Sequence, residues 1–232
     1  MKAELLERLQ ALRAAGETVA LLTRIATGEQ RLYRPGEGGL AEAEQVERAL
    51  FDDASALVET ADGGLFVHVF NPPARMAVVG AVHIAQPLAR MAAQAGFAVT
   101  IIDPRRAFAE QVRFPEVEVT TDWPDDALAR FRPDRRTAVV TLTHDPKIDD
   151  PALAAALRSP AFYIGALGSR KTHAGRLGRL RELGFDDAAL ARIHGPVGLD
   201  IGALSPAEIA VSILAQVIQA RRGGARRAKE AA

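Results

Sequence analysis

From residue 74 onward, short apolar runs alternate with stretches of helical apolar spacing, and this alternation constrains the chain more than any other feature. A strand that is apolar at every position has to be covered on both faces. A helix following each strand supplies such cover, so the repeated unit predicts a parallel sheet between two helical layers. The strand runs are residues 76–79, 98–102, 137–142 and 162–165. After the first run, Ile84, Leu88, Met91, Ala92 and Ala95 share one helical face, and Gly96 ends it. Residues 125–131, 150–157 and 171–183 predict three further helices, the last closed by Gly184. The final helix has explicit punctuation. Ser205 is its N-cap, Pro206 its first residue and Glu208 the capping-box acid. Ile209, Ile213, Leu214, Val217 and Ile218 predict its buried stripe, and Arg221–Arg222–Gly223 its charged stop.

Asn71–Pro72–Pro73 marks the linker, since paired prolines end strands and stiffen a connection. Ahead of it, residues 1–73 read as a small α+β unit. Leu5, Leu6, Leu9 and Leu12 recur at helical spacing up to Gly16. Strands are expected at 18–25 and 30–34 around Gly28, a helix at 41–51, and strands at 56–60 and 65–70 around Asp62–Gly63–Gly64.

Composition narrows the function classes. The 232 residues are 48% apolar and 25% charged, as in an ordinary globular chain. Lysine plus arginine and aspartate plus glutamate each total 29, so a globally basic nucleic-acid binder is not expected. The neutrality is a cancellation: residues 221–232 hold five cations against Glu230, a surplus of +4, which predicts a basic flexible tail at 223–232. There is no cysteine, which excludes disulfides, thiolate metal sites and a cysteine nucleophile. No run approaches the roughly 18 apolar residues of a membrane span and no signal-peptide core opens the chain, so a cytoplasmic location is expected.

The turn after the first strand has the shape of a dinucleotide fingerprint. Gly80 makes the tight turn, Ala85 is the small packing residue, and Asp103 follows Gly80 by 23 residues, where an acid meets a ribose hydroxyl. The second glycine is replaced by Val82, whose branched side chain obstructs a pyrophosphate. The motif therefore supports a Rossmann-like parallel sheet domain at 74–222 and counts against NAD(P). His83, His144 and His173 all follow strands, at the edge where such sheets bind ligands. Together they could hold a metal, but no metal-binding spacing is present, and neither a metal site nor a catalytic residue is assigned. His68, on an expected strand, reads as structural. Thr143–His144–Asp145–Pro146–Lys147 is a polar, proline-stiffened turn at that edge, while Asp149–Asp150 read as acids favoured at a helix start. Gly165–Ala166–Leu167–Gly168–Ser169–Arg170–Lys171–Thr172 fails as a P-loop, because Arg170 stands before Lys-Thr. Gly168, Ser169, Arg170 and Lys171 still form a basic helix start suited to an anion, with ordinary helix capping as the alternative. Asp200 is the one charge in the apolar loop 196–203 and is expected to face a polar ligand.

The segments 162–172, 196–202 and 205–210, together with Gly80–Ala81–Val82–His83 and Thr143–His144–Asp145, resemble the XdhC family of xanthine dehydrogenase accessory proteins over about residues 74–222. The resemblance implies a Rossmann-type domain that binds molybdenum cofactor (molybdopterin) and delivers it to a xanthine dehydrogenase-type molybdoenzyme. It also implies a chaperone rather than an enzyme, homodimerisation, and a sulfurating enzyme as a further partner. On this view Gly168, Ser169, Arg170 and Lys171 hold the cofactor phosphate. Gly80, His83, Asp103, His144, Asp145 and Asp200 line the ring or the metal end. An NAD(P)-dependent oxidoreductase using the same edge is the alternative. Longer members carry a Gly-Gly-Cys in the N-terminal domain. Here Gly36–Glu37–Gly38–Gly39 is its loose counterpart, and a mechanism using that cysteine is excluded.

Overall fold

The computed structural model describes residues 2–115 and 117–230, and the chain divides into two compact units, Met1–Pro73 and Ala74–Ala232. In the first, α1 (Ala3–Ala14) precedes β1 (Val19–Arg24) and β2 (Gln30–Tyr33); then come α2 (Ala43–Asp52), β3 (Ala56–Thr60) and β4 (Gly63–Phe70). The strands form an antiparallel sheet of order β2-β1-β4-β3. Period-two alternation places Ala20, Leu22, Leu65 and Val67 on one face, where Val46, Ala49 and Leu50 of α2 cover them. His68 lies on the other face, exposed between the rings of Phe66 and Phe70.

The second unit runs β5 (Ala74–Val79), α3 (Ala85–Gln94), β6 (Phe97–Ile102), a 3-10 turn (Gln111–Arg113), β7 (Glu118–Thr120), α4 (Pro124–Phe131) and β8 (Thr137–Thr141). It continues with α5 (Pro146–Leu157), β9 (Tyr163–Ala166), α6 (Arg170–Glu182), α7 (Asp187–Leu190), β10 (Ile193–His194) and α8 (Pro206–Glu230). All six strands are parallel, in the order β10-β9-β8-β5-β6-β7. Numbered by appearance, this is the 3-2-1-4-5-6 order of a Rossmann sheet. The uninterrupted apolar strands are explained by burial on both faces. Met76 and Val78 of β5 and Ala138 and Val140 of β8 enter the core beneath α3 and α8. Ala77, Val79 and Val139 enter the opposite core beneath α4, α5 and α6.

Three features depart from the sequence expectation. Helix α5 begins at Pro146, four residues before the expected start, because Asp145 is its N-cap and Pro146 suits a first helical position. The short edge strands β7 and β10 and the single-turn α7 carry too few residues to show a period. Helix α8 does not stop at Gly223 but continues to Glu230; Gly223 does not take the left-handed conformation of a C-cap, and the surrounding Ala, Arg and Lys are strong helix formers. Residues 231 and 232 of the expected tail lie outside the described residues. The capping box of α8 forms: the Glu208 carboxylate accepts from the Leu204 and Ser205 amides at 2.8 Å each, and the Glu208 amide donates to Ser205 Oγ. Among the described residues no helix is long and apolar enough to cross a membrane.

The stripe of α8 is narrower than its spacing suggested. Ile213 and Val217 are fully buried with Ala210, whereas Ile218 is 40% exposed. Ile213→Ala is therefore expected to destabilise the protein by roughly 2–4 kcal/mol through loss of burial and a residual cavity. Ile218→Ala should change stability by no more than about 0.5 kcal/mol. Urea unfolding midpoints of the two variants compare these directly.

Candidate functional site

The order of strands reverses between β5 and β8, so the turns leaving their carboxyl ends diverge and open a crevice. Gly80 sits there at φ 108°, and a Cβ on it would lie 2.6 Å from Thr143 Cγ2, so no side chain fits between the two turns. Its amide donates to the Ile102 carbonyl at 2.8 Å. The following amide, Ala81, donates to Asp103 Oδ2 at 2.8 Å. Arg105 completes the arrangement. Its Nη2 donates to Oδ2 at 2.7 Å, and its Nε and backbone amide donate to Oδ1 at 2.9 and 3.0 Å. Asp103 has no exposed surface. Burial alone would raise its pKa, but the Arg105 guanidinium and the Ala81 and Arg105 amides outweigh burial and hold it below the usual carboxylate value. The residue expected to meet a ligand therefore locks the Gly80–Ala81 turn instead. Val82 packs partly into the core, and His83 is exposed at the start of α3.

At the β8–α5 turn, His144 is exposed and held at φ 66°. Asp145 caps α5, its Oδ1 accepting from the Lys147 amide at 2.9 Å. Beneath this turn lies Asp149, only 1% exposed. It accepts from Thr143 Oγ1 at 2.7 Å, from the Thr143 amide at 3.3 Å and from the His144 amide at 3.1 Å. Its remaining partner is Arg176, with Nη2 3.4 Å from Oδ2. Burial pushes the Asp149 carboxyl above its usual value despite the Thr143 and Arg176 contacts that oppose the rise.

The β9–α6 turn passes through Gly168 at φ 144°. Ser169 is engaged in capping, its Oγ accepting from the Thr172 amide at 3.1 Å, and Arg170 and Lys171 are exposed. Arg176 is 2% exposed and donates from Nη2 to the Leu167 carbonyl at 2.9 Å. Its Nε and Nη1 are buried with no hydrogen-bond partner among the described residues. His173 packs against Gly195, and burial, then the Arg176 charge, lower its pKa. Between α5 and α6 lies a pocket of about 260 Å³ whose walls include His144, Lys171, Thr172, Gly175, Arg176 and Arg179.

The fold thus gathers His144, Lys171 and the turns at Gly80 and Gly168 on one sheet edge. Arg170 and Asp200 are exposed and form no part of the pocket wall. The three strand-following histidines do not converge: among the described residues no group of three or more His, Asp or Glu is placed to hold a metal. Sequence reasoning missed Arg176 and the second role of Asp149. One signal was available. Arg176 and Leu180 are the buried residues of α6 and lie one turn apart, so a cation occupied a core stripe.

Sheet order and edge geometry define a Rossmann-type binding domain whose acid after the second strand is closed to ligand. Residues 76–217 match the model of the XdhC Rossmann domain, and the chain belongs to the XdhC family. It is 33% identical over 159 residues to a protein of Bacillus subtilis named as a probable xanthine dehydrogenase subunit, covering 68% of this chain and 46% of that protein. It is 35% identical over 152 residues to the molybdenum cofactor insertion chaperone PaoD of Escherichia coli, covering 66% and 42%. A solved xanthine dehydrogenase from Bacillus halodurans superposes with a TM-score of 0.68 at 28% identity, over 95% of this chain and 64% of that one. The chain spans less than half the length of these two curated relatives.

Asp103→Asn is expected to destabilise the protein by roughly 2 kcal/mol at neutral pH, since Arg105 then lacks a counter-charge. The Asp103 pKa is depressed in the folded state. Its contribution is therefore present above the usual value of 3.8 and lost as pH falls through the depressed folded value. Denaturation of both proteins across pH should show the gap closing below 3.8.

Proposed function

We propose that this chain binds molybdenum cofactor at the carboxyl edge of its parallel sheet and hands it to a xanthine dehydrogenase-type molybdoenzyme, without itself catalysing a reaction. The observation that carries the reading is the character of that edge. Two cations, Arg170 and Lys171, stand exposed at one helix start, near glycine turns and beside the exposed imidazole of His144. Membership of a family that includes a relative named as a cofactor insertion chaperone supports it.

The cargo presents a phosphate, a polar bicyclic ring and a metal end, and the residues fit these demands in kind. Arg170 and Lys171, at the positive end of α6, attract the phosphate. His83, His144, Asp145 and Asp200 offer donors and acceptors for the ring and the metal end. With no cysteine, the chain can offer molybdenum only nitrogen, oxygen or methionine sulfur. His83, His144, Arg170, Lys171 and Asp200 are all exposed, so a cargo held by them stays within reach of a client. A dinucleotide is disfavoured at the same edge by the Val82 side chain and by Asp103, whose oxygens are engaged with Ala81 and Arg105.

Anaerobic titration with molybdopterin, followed by mixing with a cofactor-free molybdenum hydroxylase, tests the reading. Wild-type protein should bind the cofactor and restore hydroxylase activity, and His144→Ala should weaken binding about tenfold, as expected for loss of one strong polar contact. Absence of molybdopterin binding would overturn the reading. So would tight NAD(P)H binding accompanied by turnover of a carbonyl or hydroxyl substrate.

A further inference from the structure

We propose that the pocket between α5 and α6 is a subsite for a phosphate monoester dianion, with the buried Arg176 as its recognition group. The proposal rests on the cofactor reading for the identity of the natural ligand, whose phosphate is such a group; the chemistry of the pocket is independent of it.

The charges that line the pocket do not balance. Arg179 forms a two-point pair with Asp150, through Nε to Oδ2 and Nη2 to Oδ1. Arg176 has a weaker hold on Asp149: the pair is 3.4 Å long, and the carboxylate already accepts three shorter hydrogen bonds from Thr143 and His144. Lys171 is exposed on the wall. Three cations thus face two carboxylates in this small volume, and one of those cations is sealed from water.

Arg176 points to the kind of ligand. It is 2% exposed, and its Nε and Nη1 lack hydrogen-bond partners among the described residues. A buried donor left unsatisfied costs on the order of 1–3 kcal/mol, so these N–H groups favour an acceptor in the pocket. The planar guanidinium fork matches two oxygens of one phosphate, which a point-charge ammonium does not. The position of Arg176, one and a half turns into α6, also lets the positive end of a 13-residue helix act on the same anion.

The pocket has room for the ligand. Its 260 Å³ compares with about 30 Å³ for a water molecule in the liquid, so a phosphate and the start of its ester chain can be accommodated. Gly175 keeps the wall low: a Cβ there would meet only Arg179 Nη1, at 3.8 Å. Glycine inside a helix costs up to about 1 kcal/mol relative to alanine, and here the missing side chain leaves the opening clear.

Gly175 also gives a variant that tests the site without breaking the buried pair. It is exposed and does not need a left-handed backbone, so Gly175→Glu introduces a negative charge at the opening while the helix is kept. The full chain is titrated with inorganic phosphate against chloride at equal ionic strength, followed by calorimetry and melting temperature, with circular dichroism as the check on folding. Wild-type protein should bind phosphate saturably and melt at a higher temperature in it. Gly175→Glu should lose both effects, and Arg176→Lys should weaken binding at least tenfold while remaining folded. Phosphate binding no better than chloride, or equal in wild type and Gly175→Glu, overturns the proposal. A molybdopterin titration separates the two readings. Equal molybdopterin affinity in wild type and Gly175→Glu removes the subsite and leaves the cofactor reading standing. Phosphate binding that is lost in Gly175→Glu, with no molybdopterin binding to wild type, supports the subsite and removes the cofactor reading.

Discussion

The organisation of the sheet edge depends on one buried ion pair, Asp149 with Arg176. Each partner holds a different loop: Asp149 fastens the amides of Thr143 and His144, and Arg176 fastens the Leu167 carbonyl. Because both groups are almost wholly buried, removal of either leaves a charge with no solvent to receive it, at a penalty of about 3–5 kcal/mol. The dependence extends further. Thr143, held by Asp149, stands where a side chain on Gly80 would have to go. Gly80 in turn places the Ala81 amide on Asp103. Three turns separated by long stretches of chain are therefore set by a continuous series of contacts.

Asp103 shows how a familiar fold can be turned to a different purpose. An acid at the end of the second strand of a Rossmann sheet is placed to reach a ribose, yet here Arg105, two residues on, occupies its carboxylate and burial completes the closure. The scaffold, with its strand reversal and glycine turns, is that of a nucleotide-binding domain, whereas the exposed polar groups of its edge are cationic and imidazole. A fold does not fix a ligand, and the difference lies in which side chains reach solvent.

Much of the architecture was legible in the sequence because its signals are local. Continuous apolar runs marked the doubly covered strands β5, β6, β8 and β9, and Ser205, Pro206 and Glu208 marked the start of α8. The shortfalls have equally local causes. β7 and β10 have three and two residues, too few for a pattern. The α8 stripe was drawn too wide because spacing alone gives a helical face and not the width of the neighbour that covers it, so Ile218 stands at its margin.

For the site, residue types and backbone demands were readable, and pairings were not. Glycine at position 80, a histidine turn at 144 and a basic helix start at 170–171 are properties of the chain itself, because turn geometry and helix polarity follow from nearby residues. Which carboxylate meets which guanidinium depends on sheet order, and Asp149 and Arg176 are 27 residues apart. Folding placed them together out of water, while it left Arg170 and Asp200 exposed and closed Asp103. Burial decided these roles, since a charge acts as a ligand-facing group or as a structural clasp according to what surrounds it in space.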